Sequence, residues 1–283
     1  TMKTTQQTKT TFDETQELKE RIGSLETARA EPVFVMNENQ AEYQAIYNEG
    51  TERVASIVSK HYKIIQHNDV LQAVYETLNR LNLDVSGLIV ESKNKARFDF
   101  VFKDKEPIKD DASGVMLGFR ATNSYNKSCS FKLEMYGYRV ICKNGMSLGK
   151  VMNNVKEITF HVGEEKHLEI ICKKVELFIK DVIDSSDKLQ EYVNRAIGDS
   201  IEWEMMDKII DKLTRRKKHR IEIRSRLLSI ENPTRWDLYN AVTSYITHGE
   251  HLTPNVQSFL EKKAERILVK NSEGLVVLQE VEE

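Results

Sequence analysis

A run of basic residues is the strongest electrostatic feature of the sequence. Between Lys208 and Arg226 there are nine lysines and arginines against two acidic residues, a net charge of +7. Such side chains attract nucleic-acid phosphates without selecting a base sequence. The run therefore predicts a phosphate-binding surface, although a solvated helix balanced by acidic neighbours has the same pattern. The predicted nucleic-acid contacts are Arg215, Arg216, Lys217, Lys218, Arg220 and Arg224, together with Arg139 and Lys143 upstream.

Aromatic and basic residues also alternate between Phe119 and Arg139. A sheet surface of this composition can stack exposed bases. Alternation along a strand, however, sends about half of the rings into the core. We therefore expect core packing for Phe119 and Phe131.

Seven histidines raise the question of a metal site. Zinc sites show several closely spaced ligands. The pair His161 and His167, at the end of the predicted sheet, is not part of such a closely spaced set. His248 and His251 follow a predicted helix end, where histidine can bind free carbonyls. We predict no metal site.

The sequence contains none of the motifs GxSxG, HExxH, GxxxxGK[ST] or GxGxxG, so common nucleophilic and cofactor-dependent chemistries are disfavoured. Asp110 and Asp111 lie in a polar stretch that is typical of a solvated turn. A two-metal nuclease would need further carboxylates beside them, and it is kept as a minor alternative. The sequence favours a protein that is not an enzyme and needs no cofactor.

Composition indicates a globular protein in a reducing compartment. Hydrophobic residues make up 40% and charged residues 30% of the 283 positions, which is an ordinary globular balance. Cys129, Cys142 and Cys172 are odd in number and far apart, so no disulfide framework is indicated. No stretch approaches the roughly 18 to 20 apolar residues of a membrane span, and the beginning lacks an apolar leader. We expect a cytoplasmic location in the host cell.

The apolar spacing changes along the chain. NDVLQAVYETLNRLN at residues 68–82 has the spacing of a core-facing helix. Alternation at Phe98, Phe100 and Phe102, with a turn at residues 92–95, predicts a hairpin. Strands are also predicted at residues 114–122, 128–145 and 157–163.

Helical spacing dominates from residue 164, including a helix that starts after Asn232-Pro233. Strands gathered in the middle and helices at the end predict an α+β fold: a central antiparallel sheet packed by helices, followed by a helical C-terminal half. The expected organisation is a flexible or peripheral segment at 1–35, an α+β sheet region at 36–163, a helical region packed on it at 164–270, and an acidic tail at 271–283.

Five short motifs occur in order over about residues 60 to 265. They are KIIQHNDVLQAVYETL at 63–78, TNS at 122–124, RVICKNGM at 139–146, His161, and TRW at 234–236 followed by NAVTSY at 240–245 and His248. Together they resemble the motifs of the phage and plasmid family called domain of unknown function 932. Two depart from the family pattern, since Tyr125-Asn126 replaces an Asp-Gly pair, and Phe160 and Val162 replace the arginine and threonine around a histidine.

The resemblance implies a protein of mobile elements, encoded among replication and recombination genes. With the basic run, it leads us to expect a nucleic-acid-binding protein of phage, virus or plasmid DNA metabolism. Single-stranded DNA binding or annealing is the first choice, with a homo-oligomer along the strand and no membrane association. The alternative is a non-catalytic protein that binds a host or viral factor.

The motif residues favour structural roles, such as a turn at Asn144-Gly145 and helix packing by Trp236 and Tyr245. Some of their polar side chains are also candidates for a polar cluster. These are Asn123, Asn144, His161, Asn240, Thr243 and His248.

Overall fold

The computed structural model describes residues 8–35, 38–92, 94–110, 114–139, 144–148, 155–158, 167–249 and 252–270. Within these ranges it contains ten strands and eight helices. The strands are β1 Thr8–Phe12, β2 Ala28–Val35, β3 Glu38–Asn48, β4 Arg53–Ser59, β5 Val85–Ser92, β6 Lys95–Phe102, β7 Val115–Ser124, β8 Phe131–Arg139, β9 Asn144–Ser147 and β10 Val155–Ile158. The helices are α1 Thr15–Arg21, α2 His67–Arg80, α3 His167–Asp184, α4 Ser186–Gly198, α5 Trp203–Leu213, α6 Lys217–Ser225, α7 Arg235–His248 and α8 Pro254–Val269.

The fold class is α+β, as the sequence predicted. Strands β1-β5-β6-β7-β8-β10 follow one another in a seven-stranded sheet in which β9 also pairs with β8, and the pairings of known register are antiparallel. The predicted hairpin is β5 and β6, where Ser92 pairs with Lys95. Helices α3 to α8 occupy most of the C-terminal half.

The chain forms two compact units, each assembled from three segments. Unit 1 consists of Thr1–Asp104, Gly118–Glu134 and Val155–Asp181, and unit 2 of Lys105–Leu117, Met135–Asn154 and Val182–Glu283. This division differs from the boundary expected at residue 163. The segments 105–117 and 135–154 group with the later helices, a long-range arrangement that local composition does not encode.

Phenylalanines form the core on one face of the large sheet in unit 1. The rings of Phe100 and Phe119 stack with centroids 4.6 Å apart, and Phe12 meets Phe100 at 5.9 Å. Phe119 and Phe131 are buried, as strand alternation predicted. Gly118 allows close strand contact, because a Cβ there would lie 1.8 Å from the Phe100 carbonyl oxygen.

The beginning of the described chain departs from the expectation of a flexible or peripheral segment. Strand β1 pairs with β5 at the edge of the large sheet. Phe12 and Leu18 are buried, and the Thr15 backbone N–H donates to Asp84 Oδ1 at 2.9 Å. Two large apolar side chains and one polar anchor are enough to fix a segment whose composition is otherwise typical of disorder.

A second sheet of three strands, in the order β2-β3-β4, also belongs to unit 1. It was not predicted from the sequence. Its inner face contributes Ala28, Ile46 and Val58 to a small core completed by Tyr125, the residue that follows β7.

Local sequence rules account for the starts of the last two helices. Thr234 caps α7 by accepting a hydrogen bond from the Asp237 backbone N–H, which confirms the start predicted after Asn232-Pro233. Thr253 caps α8 in the same way, with Pro254 at the first helical position.

Among the described helices, none combines the length and the apolar character required to cross a membrane.

Candidate nucleic-acid interface

The beginning of α6 presents four consecutive basic side chains to solvent: Arg215, Arg216, Lys217 and Lys218. No side chain caps this helix, and its first turn contains no acidic residue. The free amides of a helix start attract anions, and cations there oppose the helix dipole. This arrangement can bind an anion.

Helix α6 is held in place by its opposite face. His219 and Ile223 are buried, and the His219 ring lies 5.7 Å from that of Tyr245 on α7. Thr214 Oγ1 lies 3.4 Å from His219 Nδ1 and accepts a hydrogen bond from the Arg216 backbone N–H at 3.3 Å. The basic residues thus extend from an anchored helix.

Acidic residues balance the later part of the basic run. Arg220 pairs with Asp211 at 2.7 Å and Arg224 with Asp207 at 3.0 Å. Arg226 pairs with Glu222 at 3.1 Å. This part matches the interpretation of a balanced, solvated helix.

The earlier part of the basic run, at the start of α6, differs from the later part in its ion pairs. Within the portion of the chain that the structure describes, Arg216, Lys217 and Lys218 form no ion pair. Burial, followed by the nearby charges of Arg216 and Lys218, lowers the pKa of His219. A concentration of positive charge therefore remains at the start of α6.

Two large apolar side chains are exposed in the same region. Ile221 is 55% exposed on α6, and Leu228 is 67% exposed in the turn that follows it. Ile221 lies four residues after Lys217 and three before Arg224, so these three share one helix face. We call Arg215, Arg216, Lys217, Lys218, Ile221, Arg224 and Leu228 the α6 surface.

Arg139, predicted as a nucleic-acid contact, is instead buried in unit 2. Its Nε donates to Asp110 Oδ2 at 2.6 Å, and its guanidinium lies over the Trp236 ring at 5.8 Å. The interpretation of Asp110 as part of a solvated turn is therefore wrong, because its side chain is fully buried. Lys143 and Asp111 lie outside the described residues.

The alternation of aromatic and basic residues between Phe119 and Arg139 does not produce an open stacking surface. Arg120 is buried, and its Nε lies 2.5 Å from Asp99 Oδ1. Lys132 pairs with Glu134. Tyr125 and Tyr136 are buried and Tyr138 is half-buried, so most rings of this stretch are packed.

Of the residues predicted to form a polar cluster, Asn123 lies in unit 1. Its Nδ2 donates to the Ile65 carbonyl at 2.8 Å and lies 3.1 Å from His67 Nδ1. The His67 ring stacks on Tyr125 with centroids 4.0 Å apart. Asn123 therefore joins the end of β7 to the start of α2, which brings together the first two family motifs.

Sequence reasoning did not single out His67, although it lies within the first motif. It is buried, and burial lowers its pKa to about 3. Its Nε2 has no hydrogen-bond partner among the described residues. Tyr125 completes the contact by donating from its hydroxyl to the Glu26 carbonyl at 2.8 Å while accepting from the His67 backbone N–H at 3.0 Å.

Asn240 and Thr243, two further members of the predicted polar cluster, belong to unit 2. Asn240 Nδ2 donates to the Trp236 carbonyl at 2.9 Å and Thr243 Oγ1 to the Tyr239 carbonyl at 3.0 Å, so both bind their own helix. His248 is the exposed last residue of α7. Asn144 pairs with Arg139 in the β8–β9 ladder. His161 lies outside the described residues.

Within the described ranges, no group of three or more histidine, cysteine, aspartate or glutamate residues is placed to hold a metal ion. His251 lies outside those ranges, and the side chain of His167 is not described.

Comparison with known proteins gives one match. A family model described as domain of unknown function (DUF932) matches residues 54–270. Searches of curated proteins and of solved structures found no significant match.

Proposed function

The chain belongs to the DUF932 family, and we propose that it is a nucleic-acid-binding protein whose preferred ligand is single-stranded DNA. One observation supports this function above all others. Arg216, Lys217 and Lys218 are exposed at an uncapped helix start and have no ion-pair partner among the described residues. The expected setting is DNA metabolism of a phage, virus or plasmid.

Phosphate binding explains features that are otherwise unfavourable. Positive side chains at a helix start repel the helix dipole, and the N-cap side chain of α6 accepts no hydrogen bond from the first turn. A phosphate placed at this start would accept from the amides and neutralise the cations. Several such contacts release counterions and supply affinity that does not depend on sequence.

The apolar part of the α6 surface favours a single strand. Ile221 and Leu228 belong to the same α6 surface as the cations. Phosphate contact alone does not explain why these apolar side chains are exposed. Unpaired bases expose faces that can pack on nonpolar side chains, whereas duplex bases are stacked inside the helix. A single strand can therefore contact both parts of the surface.

The balanced-helix interpretation accounts for Arg220, Arg224 and Arg226, which have acidic partners. It does not account for the residues at the start of α6. The DNA-binding role requires no catalytic group, and the sequence contains none of the motifs GxSxG, HExxH, GxxxxGK[ST] or GxGxxG.

Binding by the full chain to single-stranded DNA, duplex DNA and RNA of equal length, measured over a range of salt concentrations, tests this function. We expect affinity to fall linearly with salt on logarithmic axes and to be greatest for single-stranded DNA. Absence of binding to all three at low salt would reject the proposal. The alternative, an interaction protein for a host or viral factor, would then replace it.

A further inference from the structure

The three-stranded sheet β2-β3-β4 has an unusual outer face. Tyr43 and Tyr47 on β3 point to the side opposite Ile46, and Ile57 pairs with Ala45 beside them. Tyr43 and Ile57 are each 54% exposed, and Val54, which pairs with Tyr47, is 50% exposed. An antiparallel sheet with one face in a core normally presents polar residues on its other face.

This sheet and the short segment that follows it contain half of the exposed apolar side chains of the described chain. Of ten such large side chains, five lie between residues 34 and 62, namely Phe34, Tyr43, Val54, Ile57 and Tyr62. Single exposed apolar residues are ordinary, whereas a concentration of them indicates an interaction site. The inner face already has its own core of Ala28, Ile46, Val58 and Tyr125. The outer apolar residues are therefore not required for that core.

Charges of both signs lie on this face. Arg29 and Glu31 pair with Tyr47 and Ala45 on β3, and Arg29 Nε lies 2.6 Å from Glu31 Oε1. Glu31, with smaller contributions from Glu49 and Glu52, raises the pKa of the Arg29 guanidinium. A polyanion requires a net positive surface, so this face does not suit nucleic acid. A surface with paired charges of both signs does suit a copy of itself, since opposite charges can meet across a twofold axis.

We propose that the outer face of β2-β3-β4 is an interface with a second copy of this chain, in which the same face of each copy contributes. Tyrosine and branched aliphatic side chains fill the centre, and the Arg29–Glu31 pair lies at the rim. Tyrosine suits such a position because it buries a large ring with few rotatable bonds. The proposal concerns unit 1 and does not rest on the α6 surface.

Sedimentation equilibrium of the nucleic-acid-free full chain, over about 1 to 100 µM, tests the interface. We expect the parent protein to dimerise, and Ile57→Glu and Tyr43→Glu each to weaken dimerisation at least roughly tenfold, because a carboxylate would be buried in an apolar centre. Leu177→Glu is the matched control, since it adds the same charge at an exposed apolar position on α3, outside this sheet and outside the α6 surface. It should leave the dimer unchanged.

Circular dichroism and thermal unfolding confirm that each variant is folded. A parent protein that stays monomeric throughout, or folded Ile57 and Tyr43 variants that dimerise like the parent, would overturn the proposal. So would a loss of single-stranded DNA binding in these variants without a change in mass, because the face would then bind bases. If the chain binds no nucleic acid, the proposed function is rejected and dimerisation is still observed. If the chain stays monomeric, the interface is rejected and salt-dependent DNA binding is still observed.

Discussion

His67 stacks on Tyr125 with an interplanar angle of 18°. Because His67 is buried in this contact, the free energy of unfolding depends on pH. Burial lowers the folded-state pKa of His67 to about 3, below the unfolded value of 6.5. A lowered histidine pKa means that the unfolded state binds the proton first. Stability is therefore fully present above about pH 6.5 and falls as the pH drops toward 3.

Replacement of His67 tests this dependence. His67→Phe keeps an aromatic ring on Tyr125 but cannot titrate, so its free energy of unfolding should change less between pH 6.5 and 4 than that of the parent. The parent should lose up to about 1.4 kcal/mol per pH unit from this group. Urea unfolding at several pH values measures both slopes. Equal slopes would exclude His67 as the source.

Loss of Asp110 should be strongly destabilising. Asp110→Asn leaves Arg139 buried without its charged partner, and breaking one side of a buried pair costs about 3 to 5 kcal/mol. Glu31→Gln, which breaks an exposed pair with Arg29, should cost only about 0 to 1 kcal/mol. Denaturant unfolding of the two variants compares these costs. A small effect of Asp110→Asn would show that Arg139 gains access to water.

Removing four charges from the start of α6 should weaken DNA binding and reduce its salt dependence. For the variant with Arg215, Arg216, Lys217 and Lys218 all changed to Gln, each lost phosphate contact should lower the slope by about 0.7 for a single strand. The fold should survive, because exposed substitutions usually change stability by about 0.5 kcal/mol or less. Fluorescence anisotropy at several salt concentrations provides the affinities.

The matched control removes four exposed charges of unit 2 that lie outside the basic run, by changing Lys109, Lys188, Arg195 and Lys262 to Gln. This control variant changes the net charge by the same amount as the α6 variant. It should retain most of the affinity for DNA and most of the dependence of that affinity on salt. If both variants lose binding equally, general attraction and not the α6 surface explains the interaction.

The apolar residues of the α6 surface should affect strand preference separately from charge. In Ile221→Ser with Leu228→Ser, affinity for single-stranded DNA should fall at least roughly tenfold, since a tenfold loss corresponds to about 1.4 kcal/mol and fully burying one such side chain contributes about 1.5 to 3 kcal/mol. Duplex affinity and both salt slopes should stay the same. An equal loss for duplex would show that the two residues do not contact unpaired bases.

Local features of this fold could be predicted from the sequence. Alternation located β6 and the β5–β6 hairpin, helical spacing located α2, and the residues after Asn232-Pro233 located the start of α7. Each of these depends on contacts within a few residues. The α+β class followed from their order along the chain.

Long-range contacts could not be predicted in this way. Arg139 and Asp110 are 29 positions apart, and only the folded chain shows that their charges neutralise each other. The basic run shows the same contrast between local sequence and folded contacts, over a shorter sequence separation. The total charge of the run follows from the sequence, but the packing of α5 beside α6 decides that Arg220 and Arg224 are paired, whereas Arg216, Lys217 and Lys218 have no ion pair among the described residues.

The segmented construction of the two units has an evolutionary consequence. Each unit draws on three separate stretches of the chain, so no single crossover between two genes can replace one unit whole. A recombinant joined at one point would combine fragments of both units from different parents. Related chains should therefore inherit the two units together and diverge by point substitution, even where genes are exchanged frequently.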